Sequence, residues 1–160
     1  MPSGAQLVAI EPLAPEDIVA VAQCIAIDGD AFPYASAHFG MRSGAGAVWV
    51  AREGGAPRVI GFVAGHARAR VFHVVGLAVS RAGRRRGIGR ALIRTAIADA
   101  RARHLRRVAL HVSVANHAAI ALYRSEGFRL LGRLVGFYPP AAFNGEADAF
   151  AMALAIGETA

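Results

Sequence analysis

Lysine is absent: all 18 basic residues of the chain are arginine. A Gly-Lys-Ser/Thr phosphate loop, whose lysine reaches the terminal phosphates, is therefore excluded. Cysteine is nearly absent too, and the one thiol, Cys24, has no partner for an internal disulfide. It falls among Ile18, Val21, Ala22 and Ile25, whose helical spacing predicts a buried face, so Cys24 reads as a core residue rather than a nucleophile. Long apolar runs are missing as well. Although 55% of the residues are hydrophobic, Arg, Asp, Gly or Pro breaks every run before the roughly 18 residues of a membrane-crossing helix. Met1 to Gln6 shows neither the basic start nor the apolar stretch of a secretory leader, and the expectation is a cytoplasmic protein with no membrane partner. No two histidines have His-x-x-x-His spacing and there is no Cys/His cluster, so no metal is expected.

Carboxylates are outnumbered. Eleven acidic residues leave a formal net charge of +7, and the stretch Arg81 to Arg107 holds ten arginines against Asp99 alone. That block calls for an anion, either nucleic-acid phosphate or a phosphorylated small molecule. An RNA-gripping module would want aromatic stacking residues among the arginines, and the stretch has none. Nucleic acid is thus expected at most indirectly, through the ribosome.

A length of 160 residues suits one domain spanning 1–160, with no repeat or linker to divide it. Periodicity predicts a strand at Leu7 to Ile10, then a helix opened by Pro15 with Glu16 and Asp17 in its first turn, ending near Asp28 and Gly29. A loop from Phe32 to Gly46 carries a short helix at Ala35 to Met41. Strands follow at Val48 to Val50, Val59 to Ala67 and Val71 to Val79, with a turn at Glu53-Gly54-Gly55. Next come a helix from Gly87 to Arg103, a strand from Val108 to Val114 and a helix from Asn116 to Glu126. Strands near Phe128 to Val135 and Ala147 to Ile156 complete a mixed α/β chain.

The sharpest local feature is Arg84-Arg85-Arg86-Gly87-Ile88-Gly89-Arg90, set between the strand Leu77-Ala78-Val79 and an amphipathic helix. Gly87 and Gly89 leave backbone N–H groups uncovered at a helix N-terminus, where unpaired donors and the helix dipole favour an anion. Arginine forks at 84, 85 and 90 add charge around such a pyrophosphate seat. A plain strand-to-helix turn with a solvated Arg face has the same composition. A dinucleotide fold also puts glycines there, but Gly-x-Gly-x-x-Gly is absent and Val108 to Val114 has no acid for a ribose.

Arg84-x-x-Gly87-x-Gly89 resembles the acetyl-coenzyme A motif of the GNAT N-acetyltransferase superfamily. Asn116 to Phe128 is similar to its second signature, in which an Asn opens a helix and a Tyr closes it before a Gly-Phe turn. The resemblance implies a single-domain fold with a mixed sheet of about seven strands and about four helices, acetyl-coenzyme A as co-substrate, and an amine acceptor. It places Leu77, Ala78, Val79, Arg84, Arg85, Arg86, Gly87, Ile88, Gly89, Arg90, Asn116 and Tyr123 at the coenzyme.

Within the superfamily the chain is most similar to protein N-terminal acetyltransferases, the ribosomal-protein-alanine type and the NatE catalytic subunit. Phe32-Pro33-Tyr34 resembles their peptide-groove loop, Gly136-Phe137-Tyr138-Pro139 their Tyr-Tyr loop and Ala147 to Met152 their last strand. Phe32, Pro33, Tyr34 and Tyr138 are thereby implied to touch the acceptor, a protein or peptide N-terminus. Small amines such as polyamines or antibiotics are the alternative.

Transfer from an activated thioester needs a neutral amine and profits from a base. His111, in Leu110-His111-Val112, stands where the ribosomal-protein-alanine enzymes carry Glu and the NatE subunit His. Its reference pKa of about 6.5 leaves it mostly free base at neutral pH. Tyr123 is implied as the acid that protonates the departing thiolate. His73 takes a position where the NatE subunit has a catalytic Tyr. His38, His66, His104 and His117 are expected on the surface or in loops.

Overall fold

The computed structural model describes residues 8–14, 16–31, 46–54, 57–139 and 145–157. Seven strands and three α-helices lie among them: β1 Val8–Pro12, α1 Ile18–Ala31, β2 Gly46–Glu53, β3 Val59–Arg68, β4 Val71–Val79, α2 Ile88–Ala102, β5 Arg107–Ser113, α3 His117–Ser125, β6 Arg129–Leu134 and β7 Ala149–Ala155. The helix expected at Ala35 to Met41 lies outside the described residues. One sheet has the order β1-β2-β3-β4-β5-β7-β6. Only β4 and β5 run parallel; every other neighbouring pair is antiparallel. The α/β architecture and the mixed seven-stranded sheet agree with expectation.

Both faces of the sheet are covered. α2 is amphipathic, and Ile88, Leu92, Ile93, Ala96, Ile97 and Ala100 form its buried stripe. They pack with Ile60, Val63, Phe72, Val74, Val108, Leu110 and Val112, joined by Tyr123 from α3. On the opposite face Ala20 and Cys24 of α1 pack against Val50, Phe62, Ala64 and Ala78. Cys24 is fully buried and burial pushes its thiol up to about 12, so it remains a protonated core residue. The buried face of α1 is not the one its apolar residues suggested: Ile18 and Ile25 are 76% and 50% exposed. A helix apolar almost all round carries no stripe for periodicity to find. α1 also begins later than expected. Asp17 is its cap rather than a first-turn residue, its carboxylate accepting a bond from the Ala20 N–H at 3.0 Å. Pro15 lies outside the described residues.

Two irregularities interrupt the middle of the sheet. β3 pairs with β4 from Gly61 opposite Val79 to Arg68 opposite Val71, but the register shifts between Ala64–Gly76 and Gly65–Val74. Val75 is therefore an extra residue, a β-bulge, and a one-residue insertion turns the rest of a strand over. Phe72 and Val74 belong to the α2-side core before the bulge; beyond it Ala78 belongs to the α1-side core, with Leu77 and Val79 packed on the α2 side. Pairing of β4 with β5 stops at the same place. It runs from Val71–Arg107 to Val74–Leu110 and no further, whereas β5 stays paired with β7 through Ser113.

Candidate active site

The strands β4 and β5 part after Val74 and Leu110, each held by its outer neighbour, and a slot opens through the sheet. Its volume is about 430 Å³. Strand alternation puts His73 on the α1 face, together with Ala109 and His111 of β5 and His66 and Arg68 of β3. The overturned half of β4 presents Leu77 towards α2, where Tyr123 of α3 closes that side. One cavity thus joins the two faces, and its lining includes His73, Leu77, His111, Asn116, Tyr123 and Tyr138.

At the α2 end the backbone leaves N–H groups without side-chain caps. After β4 the Ser80 N–H bonds the Ile60 carbonyl at 2.8 Å, and a short 3-10 turn, Arg81–Gly83, leads to Gly87. Gly87 has φ +74°, a left-handed conformation that glycine adopts without strain. Gly89 is different: its φ is ordinary, and an added Cβ would come no nearer than 3.5 Å to Leu122 Cδ2. Packing inside the chain therefore does not require glycine at 89. No side chain caps α2 and its first turn has no acid, so its leading N–H groups keep their partial positive charge.

The arginines divide. Arg86 bonds Glu53 at 2.6 Å; Arg90 bonds Ser125 Oγ at 2.9 Å and also Glu126, which Arg94 contacts at 3.0 Å. These contacts spend much of the charge that the sequence assigned to Arg86 and Arg90 at the seat. Among the described residues the Arg84 side chain reaches the Val79 carbonyl, at 3.4 Å, and Arg85, at φ +61°, has no carboxylate partner.

On the α1 face the His66 and His73 rings stack at 5.4 Å with 22° between planes. His66 is thus no loop residue: it is a half-buried strand residue in the slot, found only through its pairing with His73. His73 is held below the usual imidazole pKa, first by burial, then by His66, His111 and Arg68. His111 is open to solvent on one side with Phe137 at 4.6 Å, and the crowding on its other side lowers its pKa as well. Tyr123 is buried, its ring 5.6 Å from Phe128, and burial raises its phenol pKa. Asn116 caps α3, its side-chain oxygen accepting from the Ala119 N–H at 3.2 Å. α3 ends as expected, with Gly127 at φ +96° and the Phe128 N–H on the Tyr123 carbonyl at 3.0 Å. Among the described residues no three His, Cys, Asp or Glu are grouped to hold a metal. Phe32, Pro33 and Tyr34 lie outside the described residues.

Asp148 escaped sequence reasoning. Its carboxylate accepts from the Gly136 N–H at 3.0 Å and from Arg133 at 2.7 Å, which fixes the turn carrying Phe137 and Tyr138. The Gly136 bond, then Arg133, hold it below the usual carboxylate range. A depressed folded-state pKa means the anchor is complete at neutral pH and is lost only as acid titrates through that low value. The same turn stacks Phe137 edge-on against Tyr138 at 4.9 Å.

The slot through the split mixed sheet has imidazoles on one face and, on the other, the strand end that leads to the uncapped α2 N-terminus. The chain belongs to the acetyltransferase (GNAT) family, whose model matches residues 16–128. It is similar to the ribosomal-protein-S18-alanine N-acetyltransferase from Escherichia coli, with 27% identity, a TM-score of 0.83, and 96% of this chain and 97% of that one covered. It is also similar to Arabidopsis thaliana NAA60 solved with acetyl-CoA: 27% identity, TM-score 0.78, 94% and 99% covered. N-acetyltransferase family 8 member 3 of Rattus norvegicus is 46% identical over 56 residues, which are 35% of this chain and only 25% of that protein.

Proposed function

We propose that the chain is an acetyl-coenzyme A-dependent N-acetyltransferase acting on the N-terminal amine of a protein or peptide. The observation that carries this reading is the slot, lined by His73, His111, Asn116 and Tyr123 and reaching Leu77 on the strand that leads to the uncapped α2 N-terminus, in a chain similar to a ribosomal-protein-alanine N-acetyltransferase. The residues fit the coenzyme: Gly89 has space for a side chain yet carries none, and the split gives a thin acyl arm a way between β4 and β5. When bound, the coenzyme supplies an acetyl thioester.

The α2 N–H groups with Arg84 and Arg85 would hold the pyrophosphate, and the Asn116 side-chain NH2, not used in capping, would bond the arm. His111, with His73 as the second imidazole, keeps the acceptor amine neutral and takes its proton as the N–C bond forms. Tyr123 holds a phenolic proton that it would give to the departing thiolate. Lowered imidazole and raised phenol pKa values put both groups in the required state at neutral pH. Phe137 and Tyr138 line the acceptor side.

The test is acetylation of a peptide panel beside polyamines and aminoglycosides. Label on the α-amine, and none on N-blocked peptides, is expected; transfer to the small amines alone would overturn the peptide acceptor.

Tyr123→Phe is expected to lower kcat on the order of 100-fold with the coenzyme Kd unchanged, since only a transition-state proton is removed. Full activity would leave Tyr123 a packing residue. Asp148→Ala should raise the acceptor KM several-fold while the coenzyme Kd holds, because the turn bearing Phe137 and Tyr138 loses its anchor. Equal losses in both would mean general unfolding, which a melting curve would show.

A further inference from the structure

The acceptor half of the slot has one permanent cation at its rim, Arg68. Arg68, His66 and His73 line it from β3 and β4, and no Asp or Glu is among the residues lining the cavity. Segments 32–45 and 140–144 contain no Asp or Glu either. Arg68 is exposed, and among the described residues it has no carboxylate partner, unlike Arg52, Arg86, Arg90, Arg94, Arg103 and Arg133.

Its place in the fold gives it a direction. The coenzyme end of β4 is Val79, next to the α2 N-terminus, and Arg68 pairs with Val71 at the other end of the strand. His73 pairs with His66, so Arg68 stands two residues further from the coenzyme than the stacked imidazoles. An extended acceptor with its amine at the level of His73 and His111 reaches Arg68 about two residues, roughly 7 Å, along. The coenzyme seat blocks the opposite direction.

We infer that Arg68, flanked by the His66–His73 stack, forms a carboxylate subsite that selects peptides with Asp or Glu at the second or third residue and disfavours polycationic amines. This rests on the proposed acetyltransferase activity and deepens it by naming the acceptor's chemistry. An exposed guanidinium–carboxylate pair is worth at most about fivefold in affinity, sensitive to salt. A net charge of +7 acts in the same direction, drawing anionic acceptors in and repelling polyamines.

The experiment compares peptides identical except for Glu, Gln or Lys at positions two and three, with free glutamate and spermidine as small-molecule arms. Two readouts are taken: kcat/KM with acetyl-coenzyme A, and peptide Kd by calorimetry with coenzyme A in its place. The expected order is Glu over Gln over Lys by about fivefold overall, narrowing at high salt. Arg68→Glu inverts it. Equal or Lys-favouring affinities in the wild type overturn the subsite, as does an unchanged Glu preference in Arg68→Glu. Free glutamate outcompeting the Glu peptide also overturns it, because a single-residue acid would then be what the site holds. Should Arg68→Glu not fold, the wild-type series and its salt dependence decide alone. A chain that acetylates only spermidine sinks the peptide reading and overturns the discrimination against polycationic amines, and the calorimetric order of the peptides then decides the carboxylate preference of Arg68 alone.

Discussion

Gly89→Glu is expected to bind acetyl-coenzyme A at least about 100-fold more weakly than the wild type while folding as well or better. Two physical effects separate here. The site tolerates a side chain, because a Cβ at 89 meets only ordinary contacts with Leu122, Val79 and Leu77 and the backbone needs no positive φ. A carboxylate in the first turn of α2 also suits the helix dipole, and replacing glycine removes up to about 1 kcal/mol of helix penalty. The carboxylate nonetheless occupies the place of the pyrophosphate and repels it. Isothermal titration and a melting curve on the same preparation check both halves. Wild-type affinity in the folded variant would remove the α2 N-terminus from the site.

His111→Ala should cost about 100- to 10,000-fold in kcat and erase the acidic limb of the pH profile. The direction of that limb follows from the structure. Partial burial of the ring strips solvent from the imidazolium and disfavours it, so the pKa of His111 falls below the usual imidazole value of about 6.5 and the free base persists to lower pH. The limb that belongs to His111 should therefore rise with pH through a midpoint below that value and be complete by neutrality. His111→Glu should regain part of the rate with its limb at lower pH still. The acceptor's own amine, with a reference pKa of about 7.7 to 8.0, adds a limb of its own. Comparing acceptors of different amine pKa separates the two. A limb that follows the acceptor and survives in His111→Ala would leave His111 a strand residue, with transfer resting on positioning and water.

Much of the scaffold, including the ends of α2 and α3, is legible in the sequence because it depends on neighbours along the chain. The expected bounds of α2 lie within one residue of the observed ones, since its apolar stripe and its glycines are local signals. The α3 signature works the same way: the Asn116 cap and the Gly127 turn bond within the segment that encodes them. The acceptor end is less legible. His66 reads as a surface or loop residue because nothing near it in sequence shows that it stacks on His73. Asp148 gives no local signal because its partners, Arg133 and Gly136, lie across a strand pair.

The bulge at Val75 is the clearest case of what sequence conceals. β4 alternates half-buried and buried residues along its whole length, and the pattern continues through the bulge because both faces of the sheet are covered. Local sequence signals determined that Val71 to Val79 is a strand and that a helix opens at Gly87 and Gly89. The slot itself was decided by pairing: β3 opposes β4 with one residue to spare, β7 keeps hold of β5, and the two central strands part where the extra residue sits. A strand's faces are set by its own chain, but its register and the place where pairing ends are set by partners far away in sequence.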